Sequence, residues 1–105
     1  MGNTVTYGPG VINIVTDGAT DYDSTSAFPH GLRICEVIFY PSAANDVLKV
    51  RHGTATGTII SVLKTITGDV LKDYVTTGVP WKPYITATDL TLGTPANAVI
   101  ILRYY

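Results

Sequence analysis

The feature that most constrains this chain is the brevity of its apolar segments. VINIV, RICEVIFY, VLKVRH, TIISVLK, VLKDYV and NAVIILRYY are each rich in Val, Ile, Leu and Tyr. Each but the last is followed within four residues by Gly, Pro, Asn or Asp, and none shows helical periodicity. β-Branched and aromatic runs at a spacing of about ten residues, punctuated by turn formers, are the signature of an all-β chain. The pattern predicts strands over Val11 to Thr16, Leu32 to Tyr40, Val47 to His52, Thr58 to Ile66, Val70 to Thr76, Pro83 to Thr88 and Ala98 to Tyr104. Pro9-Gly10, Asn45-Asp46, Gly53 to Gly57, Gly68-Asp69, Gly78 to Pro80 and Gly93 to Pro95 supply the turns between them. The expectation is a β-sandwich or jelly-roll-like barrel of about seven or eight strands.

At 105 residues the chain is one domain's worth of sequence, and two cores would each be too small. Residues 1–105 are therefore read as a single β domain, with residues 1–4 as a flexible N-terminal arm. The segment from Thr16 to Phe28 lacks hydrophobic periodicity and is the longest expected loop.

Alternation separates ordinary strands from unusual ones, because successive side chains point to opposite faces. Leu48 and Val50 oppose Lys49 and Arg51, the pattern of a half-buried strand. Two strands are apolar on both sides. From Leu32 to Tyr40, Cys35, Val37 and Phe39 share one face and Ile34, Ile38 and Tyr40 the other, with Glu36 among them. In the last strand Ala98, Ile100, Leu102 and Tyr104 oppose Val99 and Ile101. Such strands are either central and covered by a loop or by the N-terminal arm, or they meet another subunit. Only 14% of residues are charged, against about 25% in an average soluble protein, and this favours subunit contact. The interface is expected on Val99, Ile101, Arg103 and Tyr105, together with Trp81 and Tyr84.

Candidate chemistry is sparse. A net charge of −1 with acids and bases scattered singly offers no field for a phosphate backbone, so nucleic acid is not an expected partner. No apolar run is long enough to span a bilayer, and no charged leader segment precedes one, so no membrane role is expected and synthesis is placed in the cytoplasm. MGNTVT matches the short myristoylation pattern at Gly2 and Thr6, a degenerate one. Cys35, mid-strand, reads as a small buried hydrophobe, and the lone Glu36 makes no acid/base pair. His30 lies in a Pro-His-Gly turn and His52 ends a strand with no acid nearby in sequence. No nucleophile, base and orienting group can be assembled, so no catalysis and no cofactor are expected. Asp17, Asp21 and Asp23 are a weak calcium candidate, read more simply as turn caps. Trp81, Tyr84, Tyr74 and Tyr22 could form a sugar-stacking platform. Pro80 and Pro83 instead put Trp81 at a sheet edge, packed over the end of the sandwich or against a neighbour.

The succession FPHGLRICEVIFYPS, NDVLKVRHGTATGTII, WKPYI and NAVIILRYY, from Phe28 to Tyr105, resembles small virion structural proteins of tailed bacteriophages. The stretches that carry it are Asp46-x-Leu48-x-Val50-Arg51-x-Gly53 with Gly57, and Lys82-Pro83-Tyr84-Ile85. The resemblance implies an all-β virion protein in a symmetric assembly that decorates or cements a capsid, with the major capsid or tail protein as a partner. Closed point symmetry makes the chain its own partner as well, a trimer or pentamer matching the local axes of a capsid, with the trimer expected. It carries over no catalytic residue. A carbohydrate- or ligand-binding β-sandwich is the alternative.

Overall fold

The computed structural model describes residues 3–17, 20–41, 47–64, 72–75, 81–86 and 98–105. They form nine strands: β1 (Thr4–Gly8), β2 (Val11–Val15), β3 (Tyr22–Asp23), β4 (Ile34–Tyr40), β5 (Val47–His52), β6 (Ile59–Lys64), β7 (Lys72–Val75), β8 (Pro83–Ile85) and β9 (Val99–Tyr104). One sheet has the order β1-β2-β9-β4-β7 and the other β3-β8-β5-β6. β2 pairs with β9, β3 with β8, β4 with β7 and β5 with β6, all antiparallel. The chain is thus one long hairpin whose successive strand pairs alternate between two four-stranded sheets, which is jelly-roll topology. β1 extends one sheet beyond these eight strands by pairing antiparallel with β2.

The core lies between the sheets and follows from alternation. Ile12 and Ile14 of β2, Val37 and Phe39 of β4, and Ile100 and Leu102 of β9 are wholly buried from one sheet. Leu48 and Val50 of β5 and Ile85 of β8 meet them from the other. Each such side chain contributes about 1.5–3 kcal/mol by leaving water. Thr16, also buried, closes the end of the β2–β9 ladder: its N–H donates to the Ala98 carbonyl at 2.9 Å and its Oγ1 accepts from the Ala98 N–H at 3.2 Å.

Strict alternation fails at two bulges, one in β6, where Ile60 is the extra residue between Ile59 and Ser61, and one in β4. Ile34, expected to share a face with Ile38, is buried in the core with Val37 and Phe39. The β4–β9 register shifts between Ile34 and Glu36, a bulge that leaves Cys35 as the extra residue and turns Ile34 inward. The hydrophobic gain of burying Ile34 explains why the strand takes the bulge.

Residues 3 and 4, placed with the arm on sequence grounds, are held in the fold. Thr4 opens β1, while Asn3 donates from Nδ2 to the Thr20 carbonyl at 2.8 Å and accepts the Asp17 N–H on Oδ1 at 3.0 Å. Met1 and Gly2 lie outside the described residues. The expected loop from Thr16 to Phe28 contains β3, which pairs with β8 through Tyr22 opposite Ile85 and Asp23 opposite Tyr84.

Trp81 has a structural position. It exchanges two backbone hydrogen bonds with Leu32, at 2.6 and 2.7 Å, and packs edge-on to the His52 ring at 5.1 Å. Gly31 makes this approach possible: its φ is +87°, and a Cβ there would come within 2.9 Å of the Trp81 carbonyl oxygen.

Candidate functional site

Strand register resolves the outer face of the five-stranded sheet into three rows of side chains. The central row runs Thr6, Asn13, Ile101, Ile38, Asp73 across β1, β2, β9, β4 and β7. On one side of it lie Thr4, Val15, Val99 and Tyr40, and on the other Gly8, Val11, Arg103, Glu36 and Val75. Val11, Val15, Val99, Ile101 and Ile38 make a partly exposed apolar centre, with Tyr40 43% and Val75 68% exposed beside it. A contiguous apolar sheet face with few charges is the kind of surface that marks a protein contact.

The charges on this face are gathered at one corner. Arg103 Nε lies 3.2 Å from Glu36 Oε1. Glu36 titrates above the ordinary carboxylate range, first because it hydrogen-bonds with the Asp73 carboxyl and then because it is desolvated, while Arg103 pulls the other way. An exposed ion pair of this kind adds little stability, and its value lies in marking one end of the face.

The structure divides the expected interface residues. Val99, Ile101 and Arg103 are together on this face, and Tyr105, 67% exposed, follows at the strand end, its N–H bonded to the Arg33 carbonyl. Tyr84 is on the outer side of the opposite sheet, in register with Asp23 and Arg51, and Trp81 sits at the Leu32 bridge. Sequence reasoning did not place Val11, Val15, Glu36 or Asp73 in this surface. VINIV carries the signal for two of them, being apolar at every position but one.

A second feature is an open hollow of about 370 Å³ where the edges of the two sheets face each other. Asn3, Val5 and Tyr7 of the β1 segment form one wall and residues Thr20 to Asp23 the other. Tyr22 is 4% exposed, and its hydroxyl lies 3.4 Å from that of Tyr7. Burial, then that hydrogen bond, raises the Tyr22 phenol far above its usual range and keeps it neutral. Phe28 stacks between Tyr7 and Tyr104, at 5.8 and 5.3 Å, behind the hollow.

The three aspartates of this region serve different local partners. Asp17 accepts the Thr20 N–H and hydroxyl, Asp23 accepts the Thr25 N–H and hydroxyl, and Asp21 accepts the Tyr84 hydroxyl at 2.9 Å. That last bond raises the Tyr84 pKa. No three His, Cys, Asp or Glu side chains converge as a metal site among the described residues. The sugar platform does not assemble either: Tyr22 points into the core while Tyr84 is on the outside of the same sheet. The side chain of Tyr74, the fourth member, lies outside the described residues.

His52 accepts the Lys82 N–H on Nδ1 at 3.0 Å, His30 is exposed in its turn, and Cys35 is a partly buried free thiol. Among the described residues no helix is long and apolar enough to cross a membrane. No family model matches the chain, and no curated protein or solved structure was found to be similar to it.

Proposed function

We propose that the chain is a non-enzymatic structural protein of a tailed-phage virion, decorating or cementing the capsid through protein contacts made by the outer face of the five-stranded sheet. The observation that carries this reading is the apolar centre formed by Val11, Val15, Val99, Ile101 and Ile38 on that face. The low charge fraction supports it, as does the resemblance of the Asp46 to Gly57 and Lys82 to Ile85 stretches to small phage virion proteins. Jelly-roll topology is compatible but does not decide, since capsid proteins, lectins and cupins all use it. On this reading the chain is made in the host cytoplasm, carries no cofactor, and has other copies of itself and a major capsid or tail protein as partners.

The test is particle composition. Density-purified particles of the phage that encodes this chain should contain it in a fixed ratio to the major capsid or tail protein by quantitative mass spectrometry. Supplied in trans, an Ile101→Asp variant should be incorporated far less than wild type. Absence of the wild-type chain from purified particles ends the proposal.

The second reading, a carbohydrate- or small-ligand-binding module, is favoured by the hollow, whose volume falls at the lower end of the ligand-pocket range. Its donors weigh against it. The Asn3 amide is engaged at both ends, the Thr20 hydroxyl is given to Asp17, and the Tyr7 and Tyr22 hydroxyls face each other at 3.4 Å. A sugar needs donors as well as acceptors from its site.

A further inference from the structure

This inference rests on the reading of the five-stranded sheet's outer face as a protein contact, and it names one occupant. We propose that the face packs against the same face of a second copy of this chain, about a two-fold axis that lies between the sheets, runs across the strands and passes over Ile101.

A contact of a surface with itself must be self-complementary under its own two-fold axis. For two sheets packed face to face with their strands aligned, that axis lies between them, running close to the strand direction or across it. An axis along β9 sets every row over its own copy. Arg103 would then face the partner's Arg103, and like charges directly opposed are unfavourable. An axis across the strands exchanges the flanking rows instead. The row of Val99 and Tyr40 then lies over the row of Arg103 and Glu36.

That exchange matches the chemistry at the two ends. Tyr40 is half-exposed and is the one phenol among these rows. It comes over the partner's Glu36, whose carboxylate accepts its hydroxyl proton in a hydrogen bond. The Tyr40 ring also lies beside the partner's Arg103, which suits a cation over an aromatic face. In the central row Ile101 meets the partner's Ile101, and Asn13 meets the partner's Asn13, whose amides can bond reciprocally. Asp73 is the one like-charge pair that this axis creates. It sits on the outermost strand, where the roughly 30° crossing of packed sheets separates the copies.

Area sets the strength. Five strands spaced about 4.8 Å apart, each contributing about five residues or about 17 Å, give a face of about 400 Å² per partner. Stable complexes bury about 800 Å² per partner, so this contact is weak between free molecules. Copies held side by side on a particle would make it through high effective concentration.

A weak contact is best read by covalent trapping. Packed sheets are about 10 Å apart, so facing thiols are better joined by a short bismaleimide than by a direct disulfide. On a Cys35→Ser background, Ile101→Cys should give covalent dimer on brief exposure. Val99→Cys and Arg103→Cys should each give little alone, and several-fold more heterodimer when mixed. Tyr40→Ala should lower the Ile101→Cys yield several-fold. Val62→Cys, on an exposed position of β6 in the other sheet, sets the collisional background, and circular dichroism confirms that each variant is folded. Self-linking of Val99→Cys as strong as that of Ile101→Cys overturns the axis, and an Ile101→Cys yield at the Val62→Cys background overturns the homotypic contact. Face-dependent incorporation into particles without self-linking would sink this inference alone. Absence from particles would instead sink the virion reading.

Discussion

Ile100 and Ile101 are adjacent on β9, identical in side chain, and on opposite sides of the sheet, so their alanine variants test the layer assignment directly. Ile100 is wholly buried, in register with Ile14 and Phe39, and truncation leaves a cavity between two packed sheets. Ile→Ala at such a site costs about 2–5 kcal/mol, centrally about 3.5. Ile101 is partly exposed beside Asn13 and Ile38, and its truncation opens no enclosed cavity. Losing about three carbons at about 0.8 kcal/mol each, with half of that already in water, costs about 1.2 kcal/mol. The expected gap is about 2 kcal/mol. With a urea slope of about 1.3 kcal/mol/M, the two midpoints should differ by about 1.5 M. The single Trp81, packed on His52, reports unfolding by fluorescence at concentrations low enough to keep the chain monomeric. Equal losses, or a larger loss for Ile101→Ala, would refute the assignment of Ile101 to the outer face, and with it the surface on which the functional proposal stands.

Glu36 titrates high because of Asp73, so the native state binds its proton more tightly than the unfolded chain does. The stabilisation from protonating Glu36 is fully present below the ordinary value of about 4.3 and is lost as pH rises through the raised value. Asp73→Asn should flatten this component in urea melts stepped upward from acid pH, and an unchanged slope would remove Asp73 as the cause. Ser61 is 4% exposed, and its Oγ has no hydrogen-bond partner among the described residues, so Ser61→Ala should stabilise the fold by about 0.5–1 kcal/mol in the same melts; destabilisation beyond that size would mean the hydroxyl is satisfied. Gly31→Ala should cost about 2–3 kcal/mol, and Gly53→Ala, with φ +80° but open space around it, only about 1–2 kcal/mol, because the second variant meets conformational strain without the clash at Trp81. Thermal melts giving equal shifts for the two would show that the Leu32–Trp81 approach relaxes freely.

What was legible in the sequence is what period-two patterning encodes. β5 is bounded as expected because Leu48 and Val50 alternate with Lys49 and Arg51, and turn residues flank it. The doubly apolar character of β9 also appears as read, Ile100 and Leu102 inward and Val99 and Ile101 outward. The bulge at Cys35 was not legible, because a one-residue insertion in a strand apolar on both faces leaves the pattern unchanged. β1 and β3 were missed for opposite reasons. TVTYG has strand-forming residues but few apolar ones, and two residues of β3 carry no period at all. The candidate surface was half legible. Alternation put Val99, Ile101 and Arg103 on one side, but no local pattern could say which strands lie beside β9 or which sheet holds Tyr84. That depends on pairings between distant segments, β2 with β9 and β4 with β9.

The same non-local pairing bears on why the face carries charge. An apolar patch alone attracts any other apolar patch in many orientations, which favours aggregation over a defined assembly. β4 and β9 place Glu36 beside Arg103, and β7 adds Asp73, so one corner is polar while the apolar centre stays continuous. An orientation that buries the Arg103–Glu36 pair under apolar groups strips both ions of water and costs several kcal/mol, whereas one that brings a phenol or a further opposite charge offsets that cost. On the proposed reading, Val99, Ile101 and Ile38 therefore supply attraction and Arg103, Glu36 and Asp73 supply orientation. The division is separable by experiment, since Arg103→Leu should strengthen association while broadening its geometry. In bismaleimide trapping this would appear as Val99→Cys self-linking that the native Arg103 suppresses. If Arg103→Leu leaves the pattern of linked positions unchanged, the charges do not select the orientation.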